Sequence, residues 1–286
     1  MKRSAAVIAA SLGSRRALAL ALGVALAVAG PGGPGGAAAK GWPTPAAGDS
    51  ASGGPEIVFT FDDGPNPRTT PLVLDALARH HIHAVFFLVG DMAANPSPRV
   101  AAVIARILRE GHVIASHTMK HRDLCRISEP AAAQDIDDGV AAVERAAGVP
   151  AAWFRVPFGV RCDRLERLLA ERHLAHFHWD LDPQEWKHGD VARTVRYVTG
   201  ELGRAYGRDV LLMHDIKQAT VRALPQILDW LDAENARREQ SHGKPIRVVQ
   251  APALAVERLP RGLGAWLDRA TAGVRAMPDA IASALP

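Results

Sequence analysis

Short apolar runs alternate with longer amphipathic stretches through most of this 286-residue chain, and the alternation restricts the folds open to it. Seven runs read as strands, and six stretches with apolar residues at helical spacing lie between them. The strands are predicted at residues 57–61, 84–89, 113–116, 152–155, 175–179, 210–214 and 246–249, and the helices at 70–79, 99–110, 129–147, 162–172, 191–206 and 221–236. Regular alternation favours parallel β/α units, and six crossovers suit a closed or nearly closed barrel better than an open sheet.

The first 39 residues have the features of an export signal. Four basic residues supply positive charge: Lys2, Arg3, Arg15 and Arg16. Residues 17–29 form an apolar run, and three alanines at 37–39 precede a possible cleavage site before Lys40. Because a spanning helix needs ~20 residues, we predict a signal peptide rather than an uncleaved anchor, which is the alternative. Ser14-Arg15-Arg16 is a short hint of the twin-arginine type.

Three further segments follow the signal. Residues 40–55, rich in Pro, Gly, Ala and Ser, are predicted to be an unstructured linker. Residues 56–255 are predicted to form a single domain, and residues 256–286 a C-terminal helix or tail. We expect the mature protein to be exported to the periplasm, the cell envelope or the medium, without a stable membrane span.

Composition and cysteine count add further limits. Hydrophobic residues make up 48% of the chain and charged residues 22%, which is ordinary for a large α/β domain. The net charge is +4, but no Lys/Arg run contains interleaved aromatics, so we expect no nucleic-acid partner. Cys125 and Cys162 can form a disulfide in an exported protein or remain two free thiols, and the sequence leaves both open. It indicates no oligomeric state.

Asp62 and Asp63 follow the first predicted strand, and Gly64-Pro65 then turns the chain away. Two carboxylates held this close do not both stay ionised easily in a protein interior unless a cation lies nearby. The pair therefore points to a metal site, with one Asp as ligand and the other free to act as a base. The alternative is an ordinary turn or helix-cap pair.

Other polar residues also follow predicted strands, where a β/α barrel carries its chemistry. His117 and His121 are four residues apart, so both rings can reach one ion. Together with an Asp from another strand end they make a two-His, one-carboxylate set. Arg155 can bind a carboxylate through two hydrogen bonds. His214 ends the sixth strand, across the barrel mouth from Asp62.

Two other features have weaker chemical signals. Acids flanked by tryptophans occupy residues 179–186, where flat aromatic faces can bind sugar rings or belong to the core. Six further histidines are predicted to be surface residues outside the site: His80, His81, His83, His173, His176 and His178.

Five segments, in this order, resemble the five motifs of the NodB-type polysaccharide deacetylases, carbohydrate esterase family four. They are residues 60–65 (TFDDGP), 116–121 (SHTMKH), 155–159 (RVPFG), 182–186 (DPQEW) and 212–215 (LMHD). The resemblance spans about residues 55–250. It implies a distorted (β/α)7 barrel, in agreement with the seven predicted strands.

The resemblance implies a role for each matching residue. Asp63, His117 and His121 are expected to hold one divalent metal ion, usually Zn²⁺ in this family, with Co²⁺, Ni²⁺ or Mn²⁺ as alternatives. Asp62 is expected to be the general base and His214 the general acid.

The remaining motif residues are expected to support this chemistry. Arg155 orients Asp62, and the backbone N–H of Phe158 helps to stabilise the oxyanion. Trp186 and Leu212 line the groove for the acetyl methyl group.

The fourth motif departs from the family pattern, which usually has Asp directly before the Trp. This chain has Glu185 before Trp186. In the family that acid pairs with the catalytic His. Because Glu is one methylene longer, the partner of His214 is either Glu185, with a shifted backbone, or Asp182.

The resemblance implies a metal-dependent hydrolase that removes N-acetyl groups from an N-acetylglucosamine-containing polysaccharide, with an acetylated glycan as its binding partner. Peptidoglycan, a secreted exopolysaccharide and chitin oligomers are all open as substrates. An O-acetyl esterase of the acetylxylan type is the first alternative. A non-catalytic glycan-binding barrel is the second, and the intact set of motif residues argues against it.

Overall fold

The computed structural model of the chain describes residues 53–151, 153–174 and 176–257. The predicted signal peptide, the linker up to residue 52 and the tail beyond residue 257 lie outside these ranges. Gly54 and Pro55, at the end of the predicted linker, are buried, and the Pro55 carbonyl accepts a hydrogen bond from Arg247 N at 2.9 Å. No helix in the described part is long and apolar enough to cross a bilayer.

Strands and helices alternate along the described residues, as predicted. The strands are β1 Glu56–Asp62, β2 Val85–Leu88, β3 Val113–Ser116, β4 Arg208–His214 and β5 Arg247–Val248. The helices are α1 Thr70–Arg79, α2 Gly90–Ala93, α3 Pro98–Arg109, α4 Glu129–Ala147, α5 Asp163–Glu171, α6 Glu185–His188, α7 Val191–Arg204, α8 Gln218–Gln240 and α9 Ala251–Glu257, with a 3-10 turn at Pro157–Gly159. β3, α1 and α4 have the predicted ends, whereas the four-residue helices α2 and α6 were not predicted.

The strands form a parallel sheet in the order β3-β2-β1-β4, and β5 pairs with the start of β1. The register sets Asp62 opposite Phe87 of β2 and His214 of β4. An acid and an imidazole therefore lie side by side at the carboxyl edge of the sheet.

Alternation along β1 decides which side chains face inward. Ile57 and Phe59 pack against the surrounding helices, whereas Val58 packs inside with apolar residues of the other strands. Because the side-chain period of a strand is two, Thr60 and Asp62 share the inner row with Val58. The buried carboxylate thus follows from the strand register.

Helices cover the outer face of the sheet, and α3 shows how the sequence specifies this. Its buried residues have the i, i+3, i+4, i+7 spacing of one helical face: Val100, Val103, Ile104 and Ile107. Ser97 caps the helix by accepting a hydrogen bond from Arg99 N.

The predicted strands at residues 152–155 and 175–179 are wrong as regular strands. In the described residues Phe154 makes one parallel bridge to Ser116 and one to His176. A further single bridge joins Leu181 to β4. The regular strands therefore form an open sheet. The single bridges extend it past β3, through Phe154 and His176, and next to β4, at Leu181.

Hydrogen bonding around Arg155 explains why these two segments do not extend into ladders. The guanidinium donates from Nε to Phe177 O at 2.9 Å and from Nη2 to His178 O at 3.3 Å. The Arg155 carbonyl lies 2.8 Å from His117 Nδ1. The carbonyls of Arg155, Phe177 and His178 thus bind side chains of the polar edge, whereas the Phe154 carbonyl accepts the backbone N–H of Phe177 at 2.8 Å.

Candidate active site

A cleft of about 360 Å³ opens at the carboxyl ends of the strands. Its lining includes nine of the eleven predicted site residues: Asp62, Asp63, His117, His121, Phe158, Asp182, Trp186, Leu212 and His214. The other two, Arg155 and Glu185, are buried and contact lining residues. The structure thus brings the whole predicted set to one place.

Asp63, His117 and His121 bring one carboxylate and two imidazoles together. Asp63 Oδ1 lies 3.1 Å from His121 Nε2 and 3.6 Å from His117 Nε2, and one ligand atom from each residue lies within 4.8 Å of the others. Asp63 Oδ1 is buried and accepts no aligned hydrogen bond in the described part of the chain. Polar atoms this close that do not hydrogen-bond to one another are arranged as metal ligands. The three residues fit a divalent cation.

The surroundings of His117 favour the form that can bind a metal. Its Nδ1 lies 2.8 Å from the Arg155 carbonyl, which can only accept a hydrogen bond, so Nδ1 carries the proton. Burial lowers the pKa of His117 and keeps the ring neutral. The lone pair of Nε2 therefore faces Asp63. A carbonyl behind the ring that fixes its orientation is typical of metal-binding histidines.

Asp63 is well suited to supply the negative charge. Burial opposes the ionisation of Asp63, but the contact with His121 and the electrostatic influence of the three nearby imidazoles outweigh burial and lower its pKa to about 2. The carboxylate therefore stays ionised at neutral pH.

Asp135 of α4 holds the loop that carries the histidines. Its Oδ1 accepts hydrogen bonds from Met119 N at 2.8 Å and Lys120 N at 3.1 Å. Thr118 and His121 have left-handed φ angles of 66° and 50°. Non-glycine residues in this region cost about 1–3 kcal/mol each, so the packing around the loop must offset the strain.

Asp62 is fixed by Arg155. The buried guanidinium donates from Nη1 to Asp62 Oδ1 at 2.7 Å and to Thr60 Oγ1 at 2.9 Å, and it lies 4.0 Å from the centre of the Phe87 ring. The second carboxylate oxygen, Oδ2, lies 3.6 Å from His117 Nε2. Asp62 thus has one oxygen, Oδ1, that Arg155 holds in place. Its other oxygen, Oδ2, lies beside the candidate metal ligands.

In the structure His214 pairs with Glu185, one of the two partners that the sequence left open. Glu185 Oε1 lies 2.9 Å from His214 Nδ1 and accepts hydrogen bonds from His214 N at 2.8 Å and Thr220 Oγ1 at 3.1 Å. Asp182 instead accepts a hydrogen bond from Gln184 N at 2.8 Å. Asp182 lines the cleft, but no hydrogen bond or ion pair joins it to His214 among the described residues.

The Glu185 contact also affects protonation of His214. Burial lowers the pKa of His214, but the hydrogen bond to Glu185 and the negative charges of Glu185, Asp62 and Asp63 outweigh burial and raise it above the ordinary value. With Nδ1 directed at Glu185, the protonated ring can offer Nε2–H to the cleft.

Phe158, Trp186 and Leu212 form walls of the cleft. Phe158 is 66% exposed, has a left-handed φ of 61°, and packs edge-on against the His121 ring at 4.7 Å. Trp186 is 47% exposed, whereas Leu212 is buried. An exposed phenylalanine beside a tryptophan provides the apolar surface that a sugar or an acetyl group can contact.

Two lining residues, Trp179 and Lys217, were not among the predicted site residues. Trp179 had a sequence signal, since it begins the acid and tryptophan segment after the fifth predicted strand. A Cβ at Gly159 would lie 2.8 Å from the Trp179 ring, so this glycine leaves room for it. Lys217 had no signal, because a lysine at the start of a helix is common on any surface.

One of the predicted surface histidines is buried. His176 is 2% exposed, and burial lowers its pKa to about 3. Its bridge to Phe154 draws it into the polar edge of the sheet. The surface prediction is therefore wrong for His176.

Cys125 and Cys162 form a disulfide, with their Cα atoms 6.2 Å apart. Of the two possibilities left open by the sequence, the bridged one is found. Cys125 lies four residues after His121, and Cys162 three residues after Gly159, so the bridge joins two loops that line the cleft.

Similarity to known proteins agrees with this geometry. The family profile described as polysaccharide deacetylase matches residues 49–175, which contain the first three motifs. A chitooligosaccharide deacetylase of Bradyrhizobium sp. (strain ANU 289) is 37% identical over 169 residues, 57% of this chain and 72% of the relative. A peptidoglycan-N-acetylglucosamine deacetylase of Bacillus cereus is 32% identical over 186 residues, 64% of this chain and 65% of the relative.

A solved structure of a T48 deacetylase with substrate superposes with a TM-score of 0.60 at 30% identity, over 73% of this chain and 94% of the other. The predicted fold class is therefore confirmed, with a sheet that its regular strands leave open. The chain belongs to the polysaccharide deacetylase family, the NodB-type enzymes of carbohydrate esterase family four.

Proposed function

We propose that the protein is an exported, metal-dependent deacetylase that removes N-acetyl groups from an N-acetylglucosamine-containing glycan. One observation carries the proposal: the three candidate ligands line one cleft together with a held carboxylate, Asp62, and a protonatable imidazole, His214. The Bradyrhizobium and Bacillus relatives support the substrate class, since they are named for chitooligosaccharide and for the N-acetylglucosamine of peptidoglycan.

Asp63, His117 and His121 would hold the cation, and two imidazoles with one carboxylate suit Zn²⁺. When bound, a divalent cation polarises the acetyl carbonyl and lowers the pKa of a water molecule next to it. The orientation of His117 by the Arg155 carbonyl and the low pKa of Asp63 support this assignment.

Asp62 is the proposed general base. The water oxygen adds to the acetyl carbon while Asp62 Oδ2 takes the water proton. Arg155 holds the other oxygen of the carboxylate, so Asp62 does not rotate away from the cleft. The backbone N–H of Phe158 is proposed to stabilise the negative oxygen that forms, an effect worth about 3–4 kcal/mol in a known oxyanion hole.

His214 is the proposed general acid. Its Nε2–H gives the proton to the amide nitrogen as the carbon–nitrogen bond breaks, which yields acetate and a free amine on the sugar. The hydrogen bond to Glu185 and its negative charge raise the pKa of His214, which favours the protonated ring. Trp186 and Leu212 would contact the acetyl methyl group.

Product analysis tests the proposal. Purified protein would be given chitooligosaccharide, peptidoglycan and acetylxylan, and released acetate and new free amines would be counted. We expect equal amounts of acetate and amine from an N-acetylated glycan, loss of activity with a chelator and recovery with Zn²⁺. Acetate from acetylxylan alone would contradict the proposal and indicate an O-acetyl esterase.

A further inference from the structure

Lys217 lines the cleft on the same side as His214. It follows β4 by three residues and precedes the first residue of α8, and its backbone N–H donates to the His214 carbonyl at 3.1 Å. The side chain is partly buried. Lys217 therefore belongs to the cleft wall, within one turn of the proposed proton donor.

Lys217 is the only Lys or Arg among the described residues that line the cleft, and it makes no ion pair with a described acid. Neighbouring basic residues do have such partners: Arg155 binds Asp62, and Lys120 binds Asp91. A lysine at a cleft wall that lacks a protein counter-charge can pair with a carboxylate that a ligand brings.

The carboxylates that line the cleft are engaged elsewhere. Asp62 binds Arg155, Asp63 belongs to the candidate ligand set, and Asp182 accepts the backbone N–H of Gln184. Lys217 therefore has no counter-charge among the described residues, and a ligand that enters the cleft can supply one.

We propose that Lys217 binds a carboxylate that the substrate carries near the reacting N-acetyl group. The preferred glycan is then acidic, such as a strand with carboxylate-bearing ether groups on alternate sugars, rather than a neutral N-acetylglucosamine oligomer. This inference rests on the proposed deacetylase function, whose substrate class it narrows.

Three substrates of equal length separate charge from size: a neutral N-acetylglucosamine oligomer, an oligomer with ether-linked carboxylates, and the latter with its carboxylates amidated. The variants are Lys217→Met, Lys217→Arg and, as matched control, Lys187→Met. Lys187 is exposed on α6 and is not among the residues that line the cleft.

We expect Lys217→Met to raise KM about 10- to 100-fold on the carboxylated oligomer alone, since hydrogen bonds to charged groups contribute roughly this much, and to leave kcat unchanged. Lys217→Arg should restore most of the affinity. The unchanged protein should prefer the carboxylated oligomer to the amidated one. Lys187→Met should show the same KM values and the same preference.

Other outcomes would overturn the inference. If Lys217→Met has equal effects on all three oligomers, or none, Lys217 does not bind a substrate carboxylate. Deacetylation of the neutral oligomer would then still support the proposed function. If Lys217→Met relieves inhibition by acetate but leaves the preference among the three oligomers unchanged, Lys217 binds the acetate product and not the substrate. Failure of the unchanged protein to deacetylate any of the three would overturn both proposals.

Discussion

Two adjacent aspartates at the end of β1 have opposite surroundings. Asp62 continues the inner row of the strand and meets the buried Arg155. Asp63 has a left-handed φ of 72°, which takes it out of the strand alternation and brings its carboxylate to the histidines. Asp tolerates this conformation better than most residues. The change in backbone conformation at Asp63 thus gives two identical side chains different partners.

The pKa of His214 leads to a prediction about pH. A general acid must be protonated, so turnover of an amide should fall as pH rises through the raised pKa of His214. Glu185→Gln keeps a hydrogen-bond acceptor but removes the charge that raises this pKa. The fall in kcat/KM should then begin at lower pH than in the unchanged protein.

The control for this experiment is Asp182→Asn, measured over the same pH range. Asp182 lines the cleft but bonds to Gln184 N rather than to His214. Asp182→Asn should shift the pH at which kcat/KM falls less than Glu185→Gln does. A larger shift with Asp182→Asn would make Asp182 the functional partner of His214.

At the scale of elements, α4 and the histidine loop pack so closely that only glycine fits between them. A Cβ at Gly139 would lie 2.5 Å from Met119 N and closer still to the Thr118 carbonyl carbon. Both atoms are backbone, and they lie between the two candidate histidine ligands. The spacing of His117 and His121 therefore depends on this helix contact.

Gly139→Ala should push the loop away from α4. We expect it to destabilise the fold by about 1–3 kcal/mol, as overpacking usually does, and to lower metal content together with activity. Gly203→Ala on α7 is the matched control, because a Cβ there meets no described atom within 4 Å. It should leave Tm unchanged or raise it, since Ala favours helices over Gly by up to about 1 kcal/mol. Equal Tm and metal content in both variants would contradict this account of the loop.

Sequence patterns predicted elements well where local spacing decides the structure, as in α1 and α4. They failed at residues 152–155 and 175–179, because apolar spacing there does not reveal that Arg155 and His117 bind the carbonyls of these segments. The short helix α6 has too few residues to show a period.

The site was more predictable than the sheet. Asp62 and His214 have distinctive chemistry at strand ends, and the sheet register then sets them side by side. Lys217 lacks any local signal, and only the shape of the cleft reveals its place there.

At the scale of the molecule, the Cys125–Cys162 disulfide joins two loops that line the cleft. The cysteines are 37 residues apart in sequence. In the chain-entropy treatment, closing a loop of this length stabilises the fold by about 4 kcal/mol. The bridge therefore supports the loops that carry His121 and Phe158.

Replacing both cysteines by serine should lower the free energy of unfolding by up to about this amount, measured by urea denaturation. A reducing agent should lower the stability of the unchanged protein and leave the double variant unaffected. Two free thiols in protein purified without a reducing agent would exclude the bridge.

The central claim is that Asp62 takes a proton while Asp63 holds the metal ion. The most direct test measures both metal content and turnover for two variants in which one aspartate is replaced by asparagine. Asp62→Asn should retain about one divalent ion per chain and lose activity about 10²- to 10⁴-fold, the usual contribution of a general base. Asp63→Asn should lose the ion as well as the activity, because an uncharged amide is a poor ligand at a site with one carboxylate. If Asp62→Asn releases the ion and Asp63→Asn keeps it, the two roles are reversed and the account is contradicted.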